Sequence, residues 1–261
     1  MKNELKCLVG VPTFRRPQFL PRIIACFDRL NYDNKKMVII NDDIDTKYHY
    51  NGNSNIEIVN IDNHLSLAVK RNMFACWDFD ILFPLDDDDL FLPERLNNHV
   101  SKYMEDDKID LYRNRCHIYV TNSKMRKKLL TSAFTNSSFT RGGFFKSGGY
   151  TNFNQSNHDD VTLRKNFLTK CNCKIEVDGS KLDFIYQFDG GRFHNTHNRD
   201  VLMSDAVSKR RKQQQTQSGN IELIPDFVNY DNILKLVDET ILKGEIDIQV
   251  YDNFTSYRIS K

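Results

Sequence analysis

Four consecutive aspartates, Asp86 to Asp89, stand between two apolar brackets, Ile81-Leu82-Phe83 and Leu90-Phe91-Leu92. Adjacent carboxylates repel one another, so a fold tolerates them at a solvated tip or around a cation. The apolar brackets tie this run to the end of a buried strand. Two further strand signals end the same way. Leu5 to Val11 is apolar and stops at Pro12-Thr13, and Met37-Val38-Ile39-Ile40 stops at Asn41-Asp42-Asp43. Ile56 to Ile61 is strand-like by alternation. Between these runs, Leu20, Ile23, Ile24, Phe27 and Leu30 fall at helical spacing, as do Val69, Met73, Phe74 and Trp77, and then Leu96, Val100, Tyr103 and Met104. Such alternation predicts an α/β fold with a mostly parallel central sheet and helices on both faces. Ligands bind such sheets outside the carboxyl ends of the strands, so three polar strand ends point to one rim.

Composition narrows the class. The 261 residues carry a formal charge of +2, with 28% charged and 39% hydrophobic residues, which describes a soluble globular chain without a dominant polyanion-binding surface. No stretch approaches the roughly 18 apolar residues of a membrane span, and Pro12 cuts the first apolar run too short for a signal-peptide core. The six cysteines are scattered, with only Cys171 and Cys173 close together. That spacing suits neither zinc nor a secreted disulfide framework, and the expectation is buried thiols in a reducing, cytoplasmic setting.

The second half is less regular. Residues 109–135 mix strand-like pieces with a basic run, Lys124 to Lys128, and Arg141-Gly142-Gly143 and Gly148-Gly149 bracket Phe144-Phe145, which concentrates expected backbone bends there. After Asp200 the chain turns polar around Lys209-Arg210-Arg211-Lys212. One helix pattern over 233–241 and a strand-like piece, Ile246 to Tyr251, follow. Three parts are expected: 1–115 and 116–200 as two halves of one domain, and 201–261 as a small, mostly helical C-terminal extension.

Five constellations carry possible chemistry. Hard oxygens at Asp86 and Asp88 suit Mg²⁺ or Mn²⁺ with room for substrate phosphate, against the bland reading of an acidic turn. Pro12-Thr13-Phe14-Arg15-Arg16-Pro17 suits contact with a nucleotide or its phosphates, against an ordinary strand–helix loop. Lys70-Arg71-Asn72 sits on a helix with an apolar opposite face, where a solvated face is the commoner outcome. Asp159-Asp160, after His158, falls at a helix start, where the helix dipole favours acids; a carboxylate there can equally act as general base on a hydroxyl. His194 and His197, three apart after Gly190-Gly191, could supply a metal ligand, with Arg199 near phosphate.

In this order, Val11 to Pro17, Asn41-Asp42-Asp43, Lys70-Arg71-Asn72, Leu85 to Asp89 with Leu92-Pro93-Glu94-Arg95-Leu96, and Gly148-Gly149 ahead of Asp159-Asp160 resemble the family 2 glycosyltransferases of GT-A fold over residues 5 to 165. The resemblance implies a metal-dependent transfer of a sugar from a nucleotide sugar, UDP-linked for preference, to an acceptor hydroxyl with inversion. Pro12, Thr13 and Arg15 would form the first nucleotide-contacting loop, and Asp42 or Asp43 would read the base. Arg71 would approach the nucleotide, and Asp86-Asp87-Asp88 would be the DXD motif, with Asp86 towards ribose and Asp88 towards Mn²⁺ or Mg²⁺, helped by His194 or His197. Asp160, or its neighbour Asp159, would be the base. The acidic pair is Asp-Asp where the family usually has Glu-Asp, which leaves that choice open.

The acceptor is expected to be a saccharide or other glycoconjugate. The basic clusters, and a chain in which about a tenth of the residues are Asn, hinting at an AT-rich and possibly viral genome, raise a second option, a hydroxylated base in DNA. A nucleotidyltransferase is the rival enzyme class, but it should carry a Gly-rich phosphate loop, and Val9-Gly10-Val11-Pro12 offers one glycine. A non-catalytic binding module conflicts with the intact acids at both sites.

Overall fold

The computed structural model describes residues 5–121, 124–128, 134–151, 159–178, 181, 183–187, 221–223, 248–252 and 256–259. In chain order the elements are β1 (Cys7–Thr13), α1 (Leu20–Asp28), β2 (Lys35–Asn41), β3 (Thr46–Tyr50), β4 (Ile56–Asn60), α2 (Leu67–Met73), β5 (Ile81–Pro84), β6 (Leu90–Phe91), α3 (Arg95–Glu105), β7 (Leu111–Asn114), β8 (His117–Thr121), β9 (Lys124–Lys128), β10 (Ser137–Thr140), α4 (Arg141–Ser147), α5 (Asp159–Lys170), β11 (Cys173–Glu176), β12 (Phe184–Gln187), β13 (Ile221–Leu223), β14 (Ile248–Asp252) and β15 (Ser256–Ile259).

The central sheet has seven strands in the order β4-β2-β1-β5-β10-β7-β11. β1, β2, β4 and β5 run parallel, as do β7 and β11, while β10 is antiparallel to both its neighbours. The strand order reverses at β1: the chain moves outward through β2 and β4, then returns to place β5 on β1's other side. A reversal of this kind opens a crevice at the carboxyl ends, the usual ligand position in open α/β sheets.

Strand periodicity explains the two layers. Val9, Val11, Met37, Ile39, Ile81 and Phe83 point to one face, where Ile23, Ile24 and Phe27 of α1 and Leu96, Val100 and Tyr103 of α3 cover them. Leu8, Val38, Ile40 and Leu82 point to the other, covered by Ala68 of α2, Phe144 of α4, and Leu163 and Phe167 of α5. Strands buried on both faces read as unbroken apolar runs, as β1 and β5 do. The predicted sheet with helices on both faces is therefore present.

Two smaller sheets flank this core, β13-β9-β8-β12-β6 and β15-β14-β3. The three described segments beyond residue 200 are all strands, and β14 pairs with β3. The expected helix over 233–241 lies outside the described residues. One local expectation is corrected. Arg141-Gly142-Gly143 is not a bend but the first turn of α4, capped by the Thr140 hydroxyl accepting from the Gly143 N–H at 3.0 Å. Gly143 is required there by packing, since a Cβ would stand 2.7 Å from the Asp110 carbonyl oxygen. The bend comes later, at Gly148 and Gly149, with φ of 90° and 64°.

Candidate active site

The three polar strand ends meet. Thr13, the last residue of β1, donates its hydroxyl to Asp87 Oδ2 at 2.8 Å. Arg16, just beyond, donates to Asp87 Oδ1 at 2.7 Å and to Asp88 Oδ2 at 3.2 Å. Lys70 of α2 reaches back to the Thr13 carbonyl at 3.1 Å and to Asp42 Oδ1 at 2.6 Å. Asp42 takes two more partners on Oδ2, the Leu65 N–H and the His64 Nδ1, each at 2.8 Å. Lys70 and Arg71 are buried, so the solvated helix face expected for this segment is in fact its interior face. Ser66 caps α2 by accepting from the Val69 N–H, which fixes the turn that aims both cations inward.

Arg71 joins the two ends of the site. Its Nη2 donates to Asp86 Oδ1 at 2.7 Å and its Nη1 to Asp160 Oδ1, while the guanidinium lies over the Tyr150 ring, 5.4 Å from its centroid. Asn72 clamps the backbone of Tyr150 on both sides, donating to its carbonyl at 2.7 Å and accepting from its N–H at 2.8 Å. The clamp explains Gly149, where a Cβ would sit 2.8 Å from Asn72 Oδ1. Asp86 and Asp160 keep about a third of their side-chain surface open (33% and 34%), so both still face solvent while sharing one buried cation.

The electrostatics follow from this crowding. Burial pushes the Asp87 carboxyl up to about 6, against the pull of Arg16. Burial, and then the charge of Asp86, push Asp88 up to about 6. Burial also lowers Lys70, although Asp42 opposes it.

At the β2 end of the rim, Arg15 adopts φ 55°, the left-handed region, and its side chain reaches Asp43 at 3.4 Å and Asp45 at 2.7 Å. Phe14 stands beside His64 with ring centroids 4.4 Å apart. His64 and Asp45 were not picked out by sequence reasoning, and Phe14 entered it only as part of the Pro12–Pro17 run. A lone histidine and a lone aspartate carry no spacing signal, and only the folded rim places them beside Asp42 and Asp43.

The donor set suits a hard divalent cation. It is all oxygen, and Asp86 and Asp88 are close enough for one to raise the other. Among the described residues no three His, Cys, Asp or Glu side chains cluster as a metal cage. Two carboxylates with the remaining positions left to phosphate and water is how Mg²⁺ is usually held. His194, His197 and the Asp159 side chain lie outside the described residues. Among those residues no helix is long and apolar enough to cross a membrane, and all six cysteines are free thiols.

An open, mostly parallel α/β sheet with an acid-rich strand end, joined through Arg71 to a second acid at a helix start, has the architecture of a GT-A glycosyltransferase. The glycosyl transferase family 2 profile matches residues 8–162, and the chain belongs to that family. No curated protein matches it by sequence. Among solved structures, S. aureus TarS 1-349 superposes with a TM-score of 0.54 at 12% identity, covering 70% of this chain and 60% of that one. The same TarS fragment in complex with UDP-GlcNAc gives 0.56 at 11% identity, covering 92% and 72%. GalNAc-T7 with UDP, GalNAc and Mn²⁺ gives 0.53 at 11%, covering 72% and 45%. At these identities the likeness establishes the fold.

Proposed function

We propose that this chain transfers a sugar from a nucleotide sugar, preferentially UDP-linked, to an acceptor hydroxyl with inversion, Asp160 taking the hydroxyl proton. The observation that carries this reading is Arg71: one guanidinium spans Asp86 on the donor side and Asp160 on the acceptor side. The acid that would meet the donor and the acid that would deprotonate the acceptor therefore lie across a single side chain. Direct displacement needs this arrangement, because the attacking oxygen must approach the anomeric carbon while its base is within hydrogen-bond reach.

On the donor side, Thr13 and Arg16 orient Asp87 and Asp88, and Arg15 reaches across to Asp43. Asp43 is the better reader of the base. Both oxygens of Asp42 are taken by Lys70, His64 and the Leu65 N–H, whereas the bonds to Asp43 converge on Oδ1, leaving Oδ2 to accept from the imide N–H of a uracil. Phe14 lies alongside as an apolar wall. Asp86 and Asp88 would hold Mn²⁺ or Mg²⁺, which when bound neutralises charge on the leaving diphosphate. Support from relatives is that TarS has been solved with UDP and UDP-GlcNAc and GalNAc-T7 with UDP and Mn²⁺.

The acceptor is read as a saccharide or other glycoconjugate. The DNA-base alternative rested on the Asn-rich composition, on Lys124–Lys128, which is strand β9, and on 209–212, which lies outside the described residues. Calorimetric titration of UDP-sugars with and without Mn²⁺ tests the donor reading. Binding that requires the metal is the expected result, and failure of every nucleotide sugar to bind overturns it.

A further inference from the structure

We infer that Arg16 competes with the divalent cation for Asp88, and yields that carboxylate when a nucleoside diphosphate takes its guanidinium instead. The inference rests on the donor side of the reading above. One atom, Arg16 Nη1, carries both bonds, to Asp87 Oδ1 at 2.7 Å and to Asp88 Oδ2 at 3.2 Å. The Arg16 and Asp88 side chains are only 15% and 16% exposed, so water screens their attraction poorly. The two bonds are unequal in kind. Asp87 is buried and also held by the Thr13 hydroxyl at 2.8 Å, which makes it the anchor, whereas the longer bond to Asp88 is the one that can be exchanged. The root of the side chain is fixed as well. The Phe19 N–H bonds the Arg16 carbonyl at 3.2 Å across the short turn Pro17–Phe19, and the Phe19 ring centroid stands 5.8 Å from the guanidinium.

A bare dication on Asp88 therefore has to displace a guanidinium and then sit beside it as a like charge. The second proposed ligand is guarded in the same way, since Arg71 Nη2 donates to Asp86 Oδ1 at 2.7 Å. Among the described residues no third His, Cys, Asp or Glu joins this pair to offset the cost. A diphosphate supplies what is missing. Its anionic oxygens complete the coordination of a hard cation, and they match the planar fork of Arg16. Asp88 then passes from one cation to the other without being left unpaired, which a carboxylate this enclosed requires. Arg16 is on this account a positioning residue that makes cation and nucleotide enter together.

The test measures binding, not turnover, on the full chain at one fixed pH. Mn²⁺ alone is titrated by loss of the free-ion electron paramagnetic resonance signal, and UDP is titrated by calorimetry with and without Mn²⁺. The gain that Mn²⁺ brings to UDP equals the gain that UDP brings to Mn²⁺. Arg16→Met should bind Mn²⁺ alone about tenfold more tightly than the wild type, the worth of one charge-assisted bond, and the mutual gain should fall by about the same factor. Arg16→Lys, which keeps the charge, should stay close to the wild type, as should Lys6→Met, which removes a charge at the opposite end of β1. Should Arg16→Met fail to fold, Arg16→Met with Asp87→Asn removes both partners of the buried pair and carries the measurement. Affinity for Mn²⁺ alone that is unchanged or weaker overturns the inference. So does tighter binding with the mutual gain intact, which makes Arg16 a nearby charge rather than an exchanging partner. Wild-type UDP binding that Mn²⁺ does not improve removes the donor reading and the inference with it, whereas a gain that is present and equal in both proteins overturns the inference alone.

Discussion

Two groups of buried charge in this molecule look alike and do different work. At the rim, Arg16, Lys70 and Arg71 hold Asp87, Asp88, Asp42, Asp86 and Asp160, and several of these acids keep an open edge to solvent. On the other side of β5, Arg95 at the start of α3 is fully buried against Asp183 at 2.9 Å and Asn136, within 6.0 Å of the Phe83, Phe91 and Phe184 ring centroids. Asn98 adds a bond to Asp183 Oδ2 at 3.0 Å, and the Leu92 N–H bonds the Asp183 carbonyl. The Arg95 group is closed and ties α3 to the chain around β12. The rim group is open on one side, so its charges can be re-partnered by a ligand. Ion pairing by itself does not mark a functional site; the side facing water does.

Removing a closed partner should cost most. Arg95→Ala leaves Asp183 charged, buried and unpaired, and should destabilise the fold by about 3–5 kcal/mol in a denaturation experiment. The double change Arg95→Met with Asp183→Asn should recover much of that loss. A cost for Arg95→Ala no larger than that of an exposed arginine would erase the distinction between the two groups.

At the rim the effect should fall on activity instead. Asp160→Asn should reduce transfer by about 10²–10⁴-fold with the melting temperature and UDP affinity nearly unchanged. A variant that keeps full transfer would move the base to Asp159. A drop in stability as large as that of Arg95→Ala would make Asp160 a structural partner of Arg71.

The pH response is a smaller effect with a definite sign. Asp87 and Asp88 lie near 6 in the folded protein against an ordinary value of 3.8, so the folded chain retains protons that the unfolded chain has lost between roughly pH 4 and 6. Their contribution to stability falls as pH rises through that window, and both are fully charged only above it. Metal-dependent UDP binding should therefore weaken about tenfold between pH 7 and 5 as the ligating carboxylate is protonated. Calorimetry at the two pH values checks this, and equal affinities would take Asp88 out of the donor site.

The smallest expected effect is at the turn after α4. Gly149→Ala puts a Cβ against Asn72 at a φ of 64°, and should cost about 1–2 kcal/mol. Hydrogen exchange at the Tyr150 amide should rise with it, since that N–H is held by Asn72. An unchanged amide would show that the clamp tolerates the shift.

Much of the architecture was legible in the chain. Strands buried on both faces must be apolar throughout, so Leu8 to Val11 and Ile81 to Phe83 declared themselves, and the polar residues ending them marked one rim. The motif placed Arg71 near the nucleotide, but its bridge from Asp86 to Asp160 and the Lys70 bond to Asp42 were not legible. Cations on an amphipathic helix normally face water, and nothing in the local pattern says that α2 turns this edge towards Asp42 and Asp160. The glycines of Arg141-Gly142-Gly143 misled for a related reason. The demand at Gly143 comes from the Asp110 carbonyl, more than 30 residues away, rather than from the local backbone, while a Cβ at Gly142 would meet nothing within 4 Å.

The sequence by itself determined the alternation of strand and helix, the family, and which residue types stand at the carboxyl ends of β1, β2 and β5, because side-chain periodicity and strand polarity are local properties. Only the tertiary structure decided how those charges are shared. It saturated Asp42 and left an oxygen of Asp43 open, it made Arg71 the bridge between Asp86 and Asp160, and it set Arg16 between Asp87 and Asp88. Each of these depends on distance between residues far apart in the chain, and on a low-dielectric interior that makes every unpaired charge find a partner.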